Sequence, residues 1–230
     1  IDEMNYVNLA RTNAGSAAEY SEEDLDYAVN GPTFVLNPSN GLWRTYNQES
    51  IIDQVVQKSY NIYNSNIQLT GGNDNTTYLA SLGHMSQNGM FKVGDDKFGR
   101  LSARVNLSSK INDYIKLDIR SAYVKEDTDN PQDGGYGIDG GGNGILRQFF
   151  SSRMRFPIFN EDGTYYRSGT SSAFGYALLK DGGFNTDRKN NYLNNFAVTF
   201  NNFVKGLEVR LMYGREDNNY ENRNFRRTVT

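Results

Sequence analysis

From about Lys58 onward the side chains alternate in character with a period of two, and no other feature constrains the fold as tightly. Successive side chains on a strand point to opposite faces, so such a segment forms a strand with one apolar and one polar face. The pattern predicts six strands, over 58–70, 77–87, 98–109, 113–124, 191–203 and 207–219. In the third, Leu101, Ala103, Val105 and Leu107 share one face, while Arg100, Ser102, Arg104, Asn106 and Ser108 share the other. The fourth sets Ile115, Leu117 and Ile119 against Lys116, Asp118 and Arg120. The fifth sets Tyr192, Phe196, Val198 and Phe200 against Asn195, Thr199 and Asn201, and the sixth sets Leu207, Val209, Leu211 and Tyr213 against Glu208 and Arg210.

The links between these strands alternate in length. Residues 71–76, 109–113 and 204–206 are short turns, whereas 88–97 and especially 125–190 are long. An up-and-down membrane barrel has this asymmetry, with tight periplasmic turns and long extracellular loops. The expected fold is therefore all-β: about six strands of a large antiparallel transmembrane β-barrel. Its apolar face meets outer-membrane lipid, and Arg100, Arg104, Asn106, Lys116, Asp118 and Arg120 line a hydrated lumen. The aromatics Tyr60, Tyr63, Tyr78, Phe98, Tyr114, Tyr123, Tyr192 and Tyr213 fall near predicted strand ends, where interfacial girdles or ordinary strand packing would place them. The expected organisation is an extracellular loop region with short helices over 1–57, four barrel strands over 58–124, a long extracellular loop over 125–190, and two strands with the start of a loop over 191–230. Within the first region Ser21 to Asp24 reads as a capping box, and Met4 to Ala14 as a short helix. Another short helix is expected over 146–154 and a tight turn over 160–163.

Composition removes other classes. A mean hydropathy of −0.70 and the lack of any run near ~18 apolar residues rule out transmembrane helices. A net charge of −3 argues against nucleic-acid binding through phosphate contacts. With no cysteine there are neither disulfides nor thiolate metal sites.

Residues 66–107 carry more than a generic pattern. A strand ending in Thr70-Gly71-Gly72 is followed by a polar turn, then Tyr78-Leu-Ala-Ser81-Leu82-Gly83 and Gln87-Asn-Gly89. Next comes Phe98-Gly99-Arg100-Leu101-Ser-Ala-Arg104-Val-Asn106-Leu107. This order resembles the SusC/RagA family of TonB-linked outer-membrane transporters. Phe156-Pro157 through Asp162-Gly163-Thr-Tyr165-Tyr166 resembles an outer-loop element of that family, and Val204-Lys205-Gly206-Leu207 one of its turns. Trp43 stands where the family often has a Trp, without its usual Asp partner. The resemblance implies import of oligosaccharides or peptides across a bacterial outer membrane, and a SusD-like surface lipoprotein acting as a lid. It also implies TonB acting through a plug region that this chain lacks, and a homodimer of transporter–lipoprotein pairs. On this reading the chain is a fragment of a longer protein. No enzyme activity and no cofactor are expected.

Other chemistry is weakly encoded. His84 is the only histidine and falls on a predicted strand in a chain without cysteine, so neither a His-metal cluster nor a Ser-His-Asp triad is expected. Gly134 to Asp139 matches the start of a calcium-binding nonapeptide, but that architecture needs tandem copies. Asp95/Asp96, Asp127/Asp129 and Glu161/Asp162 pair carboxylates in what read as loops, where solvation is the ordinary role. Trp43, Tyr136, Phe149, Phe150, Tyr165 and Tyr166 fall in the predicted extracellular segments, as candidates for stacking on cargo or lid; local packing is the competing role. The competing fold is a soluble surface β-sandwich that binds glycans, which would share the alternation but not the short-and-long order of the links.

Overall fold

In the computed structural model, residues 1–31, 34–37, 41–46, 50–133, 144–151, 156–166 and 173–229 are described. The chain divides into two units, Ile1–Gln57 with Asp133–Gly182 and Arg227–Thr230, and Lys58–Gln132 with Gly183–Arg226.

The first unit gathers two stretches distant in sequence. Its elements are α1 (Asp2–Asn13), α2 (Glu22–Asn30), the hairpin β1 (Phe34–Asn37) and β2 (Leu42–Thr45), α3 (Ile51–Val55), α4 (Ile145–Ser151) and α5 (Ala173–Asp181). The capping box at α2 forms as read: the Ser21 hydroxyl accepts from the Asp24 amide at 3.1 Å, and the Ser21 amide donates back to the Asp24 carboxylate at 3.0 Å. The 160–163 turn also forms, closed by the Gly163 amide on the Asn160 carbonyl at 3.0 Å. The hairpin, α3 and α5 are not legible in the sequence pattern. Each is short, and α5 shows its apolar residues only once Ala173, Ala177, Leu178 and Leu179 are buried. The helix α4 touches both α3 and α5, so residues on either side of the sheet sequence build one core around Val55, Ile145, Phe149 and Leu179.

The second unit is one antiparallel sheet in sequence order: β3 (Ile62–Gly72), β4 (Thr76–Asn88), β5 (Lys97–Lys110), β6 (Ile115–Pro131), β7 (Gly183–Asn201) and β8 (Glu208–Arg226). Among the described residues β3 and β8 are paired on one side only, so the sheet is an open wall. Asparagines build two of its three short turns. The Asn73 side chain accepts from the amides of Asn75 and Thr76 at 2.9 and 2.8 Å, and the Asn112 side chain accepts from Tyr114 and Ile115 at 2.9 Å each. An Asx turn of this kind supplies the acceptor that a two-strand reversal needs. The third turn relies on Gly206 at φ 82, a conformation that a Cβ would strain. At Gly71 the reason for glycine is space: a Cβ there would run into the Tyr78 ring and hydroxyl, because that ring lies over its cross-strand partner.

Several boundaries differ from those predicted. β3 starts at Ile62 rather than 58; β6 runs to Pro131 rather than 124, β7 starts at Gly183 rather than 191, and β8 runs to Arg226 rather than 219. The 125–190 connection therefore shrinks to 132–182, and Asp127 and Asp129 sit in a strand, not in a loop. Beyond Val124 on β6, and before Asn191 on β7 apart from Phe184, both faces of these two strands are polar, so the contrast that betrays a strand vanishes while the backbone ladder continues. Side-chain pairing accompanies it, with Lys125 on Asp127 at 2.8 Å, Arg188 on Asp127 at 3.7 Å, and the Tyr220 hydroxyl donating to Asp187.

Candidate functional site

The register of the sheet sorts its side chains into two faces. One carries Ile67 and Leu69 on β3, Tyr78, Ala80 and Leu82 on β4, and Leu101, Ala103, Val105 and Leu107 on β5. It continues through Ile115, Leu117 and Ile119 on β6, Phe196, Val198 and Phe200 on β7, and Val209, Leu211 and Tyr213 on β8. This apolar stripe holds no charged residue, and it is bare: Ile67 is 73% exposed and Leu211 61%. No second sheet covers it among the described residues, since the other sheet is the two-stranded hairpin β1–β2.

The stripe runs obliquely to the rungs. On β5 its lower edge is Leu107, which shares a rung with Ile119, Phe196 and Tyr213. On β7 and β8 it continues two same-face rungs further toward the short turns, to the Phe200–Val209 pair. A band perpendicular to a barrel axis crosses its rungs in this way, because barrel strands are tilted by about 35–45°. On β6 the stripe and its border span Ile115 to Tyr123, close to the ~9–11 residues a tilted strand needs to cross a bilayer.

Aromatic rings edge the stripe at both ends. Tyr123 and Tyr192 stack at 4.7 Å between ring centroids, and the next positions on that face are Lys125 and Asn190. At the short-turn end Tyr114 meets Phe203 at 5.6 Å, and Phe203 meets Phe200 at 5.8 Å. Phe98 belongs to neither border: it lies on the polar face with Arg100.

That polar face holds all six wall residues singled out above: Arg100, Arg104, Asn106, Lys116, Asp118 and Arg120. Arg100 approaches Glu126 at 3.8 Å, and Asp118 is approached by Lys116 at 3.5 Å and Arg210 at 3.9 Å. A groove of about 710 Å³ opens here, lined by Arg104, Asn106, Ser108, Asp118, Arg120 and Asn195 among others.

The loop aromatics separate. Phe149 and Tyr166 are buried, 2% and 3% exposed, so their rings pack in the first unit and present no face to a ligand. Tyr166 also stacks on Phe156 at 5.8 Å. Tyr165 is half-buried, stacked on Phe159 at 5.2 Å, with its hydroxyl donating to Asp181. Burial and that carboxylate push its hydroxyl well above the ordinary value of 10.0. Trp43 is half-buried and meets Phe34 edge-on at 6.4 Å. Phe150, 71% exposed, presents a free ring. Tyr136 and the Gly134–Asp139 motif lie outside the described residues. A feature missed in the sequence is the triad of Asp24, Arg44 and Tyr46: the Tyr46 hydroxyl donates to Asp24 at 2.5 Å, and Arg44 lies 3.4 Å from it. These residues come from different elements, so no local motif announces them. Among the described residues no three His, Cys, Asp or Glu side chains gather as a metal site, and no helix is long and apolar enough to cross a membrane.

No family model matches the chain. Over 169 residues it is 29% identical to TonB-dependent receptor P26 of Formosa agariphila, a match covering 70% of this chain and 15% of the receptor. Two solved structures share its fold. One is the RagAB peptide importer in a "closed-closed" state, with a TM-score of 0.64 at 18% identity over 95% of this chain and 25% of that one. The other is the RagAB peptide transporter, with a TM-score of 0.56 at 19% identity over 95% of this chain and 23% of that one. The chain thus spans a quarter or less of these relatives. The resemblance read from the motifs is borne out as a likeness: the chain is similar to a TonB-dependent receptor and shares its fold with part of the RagAB structures.

Proposed function

We propose that this chain supplies part of the barrel wall and the extracellular loops of a TonB-dependent outer-membrane transporter that imports oligosaccharides or peptides. The observation that carries this reading is the oblique apolar stripe, edged by rings at both ends and opposite a polar face. A charge on such a stripe would cost about 2–4 kcal/mol near the bilayer midplane, which accounts for its absence over six adjoining strands. Lipid covers the stripe; Arg100, Arg104, Asn106, Lys116, Asp118 and Arg120 face the lumen. The long connections lie on the extracellular side, where Trp43, Phe150 and Tyr165 are candidates for contact with cargo or with a SusD-like lipoprotein lid. Cargo held between lid and barrel is released inward when TonB acts on the plug. The likeness to an importer described with peptide cargo supports import, and leaves peptide and glycan cargo both open for this chain.

The sandwich alternative is disfavoured by the bare stripe. A sandwich buries its apolar face against a second sheet about 10 Å away, and the described residues of this unit hold a single sheet.

The test is the mass and location of the native protein. Detergent extracts of outer membranes should contain it as a species several-fold heavier than 26.0 kDa, with a lipoprotein co-purifying. A water-soluble species of 26.0 kDa would overturn the reading.

A further inference from the structure

Arg104 and Arg120 sit on adjacent strands and on one face. Arg104 is opposite Ala122, and Arg120 is opposite Asn106, so the two are diagonal neighbours. Their backbones are about 7–8 Å apart in such a pair, close enough for long side chains to meet. Among the described residues neither has an ion-pair partner. The nearby carboxylates are engaged elsewhere: Asp118 by Lys116 and Arg210, Glu126 by Arg100. Both arginines line the 710 Å³ groove, beside the amides of Asn106 and Asn195 and the hydroxyl of Ser108. They stand at mid-stripe height, behind Ala103, Val105, Ile119 and Ser121.

Two unpaired like charges on neighbouring strands repel. A ligand carboxylate removes that repulsion. Guanidinium forks match a carboxylate in shape and hold it bidentately, and the flanking amides can take hydroxyl or amide groups beside it. The groove's volume falls within the range of small-ligand sites.

We infer that Arg104 and Arg120 form a carboxylate-binding subsite in the transport path, which selects oligomeric cargo bearing acidic groups. This rests on the transporter reading above. The carboxylate can belong to a uronate in an oligosaccharide or to an acidic peptide, and matched probes separate the two. The full-length transporter, purified from outer membranes, is titrated with tetragalacturonate and its methyl ester, and with a Gly/Glu octapeptide and its Gly/Gln counterpart. The acidic member of one pair should bind about tenfold or more tighter than its neutral match, the range expected for charge-assisted hydrogen bonds to a carboxylate. In R104Q/R120Q that ratio should fall toward one. In R104K/R120K, which keeps both charges and loses the forks, it should lie between.

Equal binding of acidic and neutral members by the wild type would overturn the subsite while leaving an outer-membrane transporter intact. So would a preference that survives R104Q/R120Q. A third overturning result is a wild type without preference whose R104Q/R120Q variant loses heat stability, since the arginines would then pair with another segment of their own polypeptide. A protein absent from the outer membrane would bring down the transporter reading itself.

Discussion

Tyr123 and Tyr192 stack across β6 and β7 at an interplanar angle of 28°, and the Tyr123 hydroxyl donates to the Asn190 side chain at 2.9 Å. The pair divides one face of the sheet in two. Toward the short turns that face holds Ile119, Leu117 and Phe196; away from them it holds Lys125, Asp127 and Arg188. A ring with an apolar body and a polar tip suits a boundary between hydrocarbon and water.

Tyr123→Ala should therefore destabilise the assembled barrel by about 0.5–1.5 kcal/mol through the lost ring pair, beyond the loss of buried area. Tyr123→Phe keeps the stack and loses only the hydrogen bond to Asn190, so its effect should be smaller. Denaturant midpoints of the full-length protein in lipid vesicles measure both.

Val105→Arg puts a charge in the middle of the stripe and should cost about 2–4 kcal/mol, with a matching loss of folded protein in outer membranes. Asn219→Arg sits on the same face beyond the tyrosine pair and should be nearly neutral. Heat-modifiable migration of the two variants on gels reports assembly. Equal behaviour would show that the stripe does not meet lipid.

Adjacent phenylalanines should respond oppositely. Phe149 is buried against the first unit's core, so Phe149→Ala should cost about 3–5 kcal/mol. Phe150 is exposed, and Phe150→Ala should leave thermal unfolding unchanged while weakening lipoprotein or cargo binding. Calorimetry and pull-down of the lipoprotein separate the two outcomes.

The cluster around Asp24 should respond to pH at both extremes. Burial raises the Asp24 carboxyl, but hydrogen bonds from Tyr46 and Ser21 and the charge of Arg44 outweigh it and hold the group below its usual 3.8. Its contribution to stability is present above that usual value and is lost as pH falls through the lower folded value. Tyr46 is pushed up to about 12 by burial and by Asp24, so its contribution is intact below pH 10 and disappears as pH rises through about 12. Fluorescence of Trp43, the only tryptophan of these 230 residues and a neighbour of Arg44, should follow both transitions when read as the difference between the full-length protein and its Trp43→Phe variant. Asp24→Asn should flatten the acid one. Ser21→Ala removes the cap and should cost about 1 kcal/mol.

The strands crossing the stripe were legible because the medium outside the sheet differs from the medium inside, and that contrast writes a period of two into Leu101 to Leu107 and Ile115 to Ile119. The same logic hid residues 125–131 and 183–190. There both faces are polar, so nothing in the side-chain pattern distinguishes a strand from a loop, and only backbone pairing of Lys125 with Asn190 and Asp127 with Arg188 reveals one. The six polar wall residues could be assigned to a common face from spacing alone, since alternation fixes direction within a strand. Which charges neutralise one another could not. Arg210 reaches Asp118 across β7, and Arg104 and Arg120 are left together, only because the register brings those positions into line. Tertiary packing likewise decided that Phe149 is core and Phe150 is not, and that residues 1–57 and 133–182 share one unit. A sequence specifies local direction and contrast; contacts between segments far apart in the chain depend on the register and folding that join them.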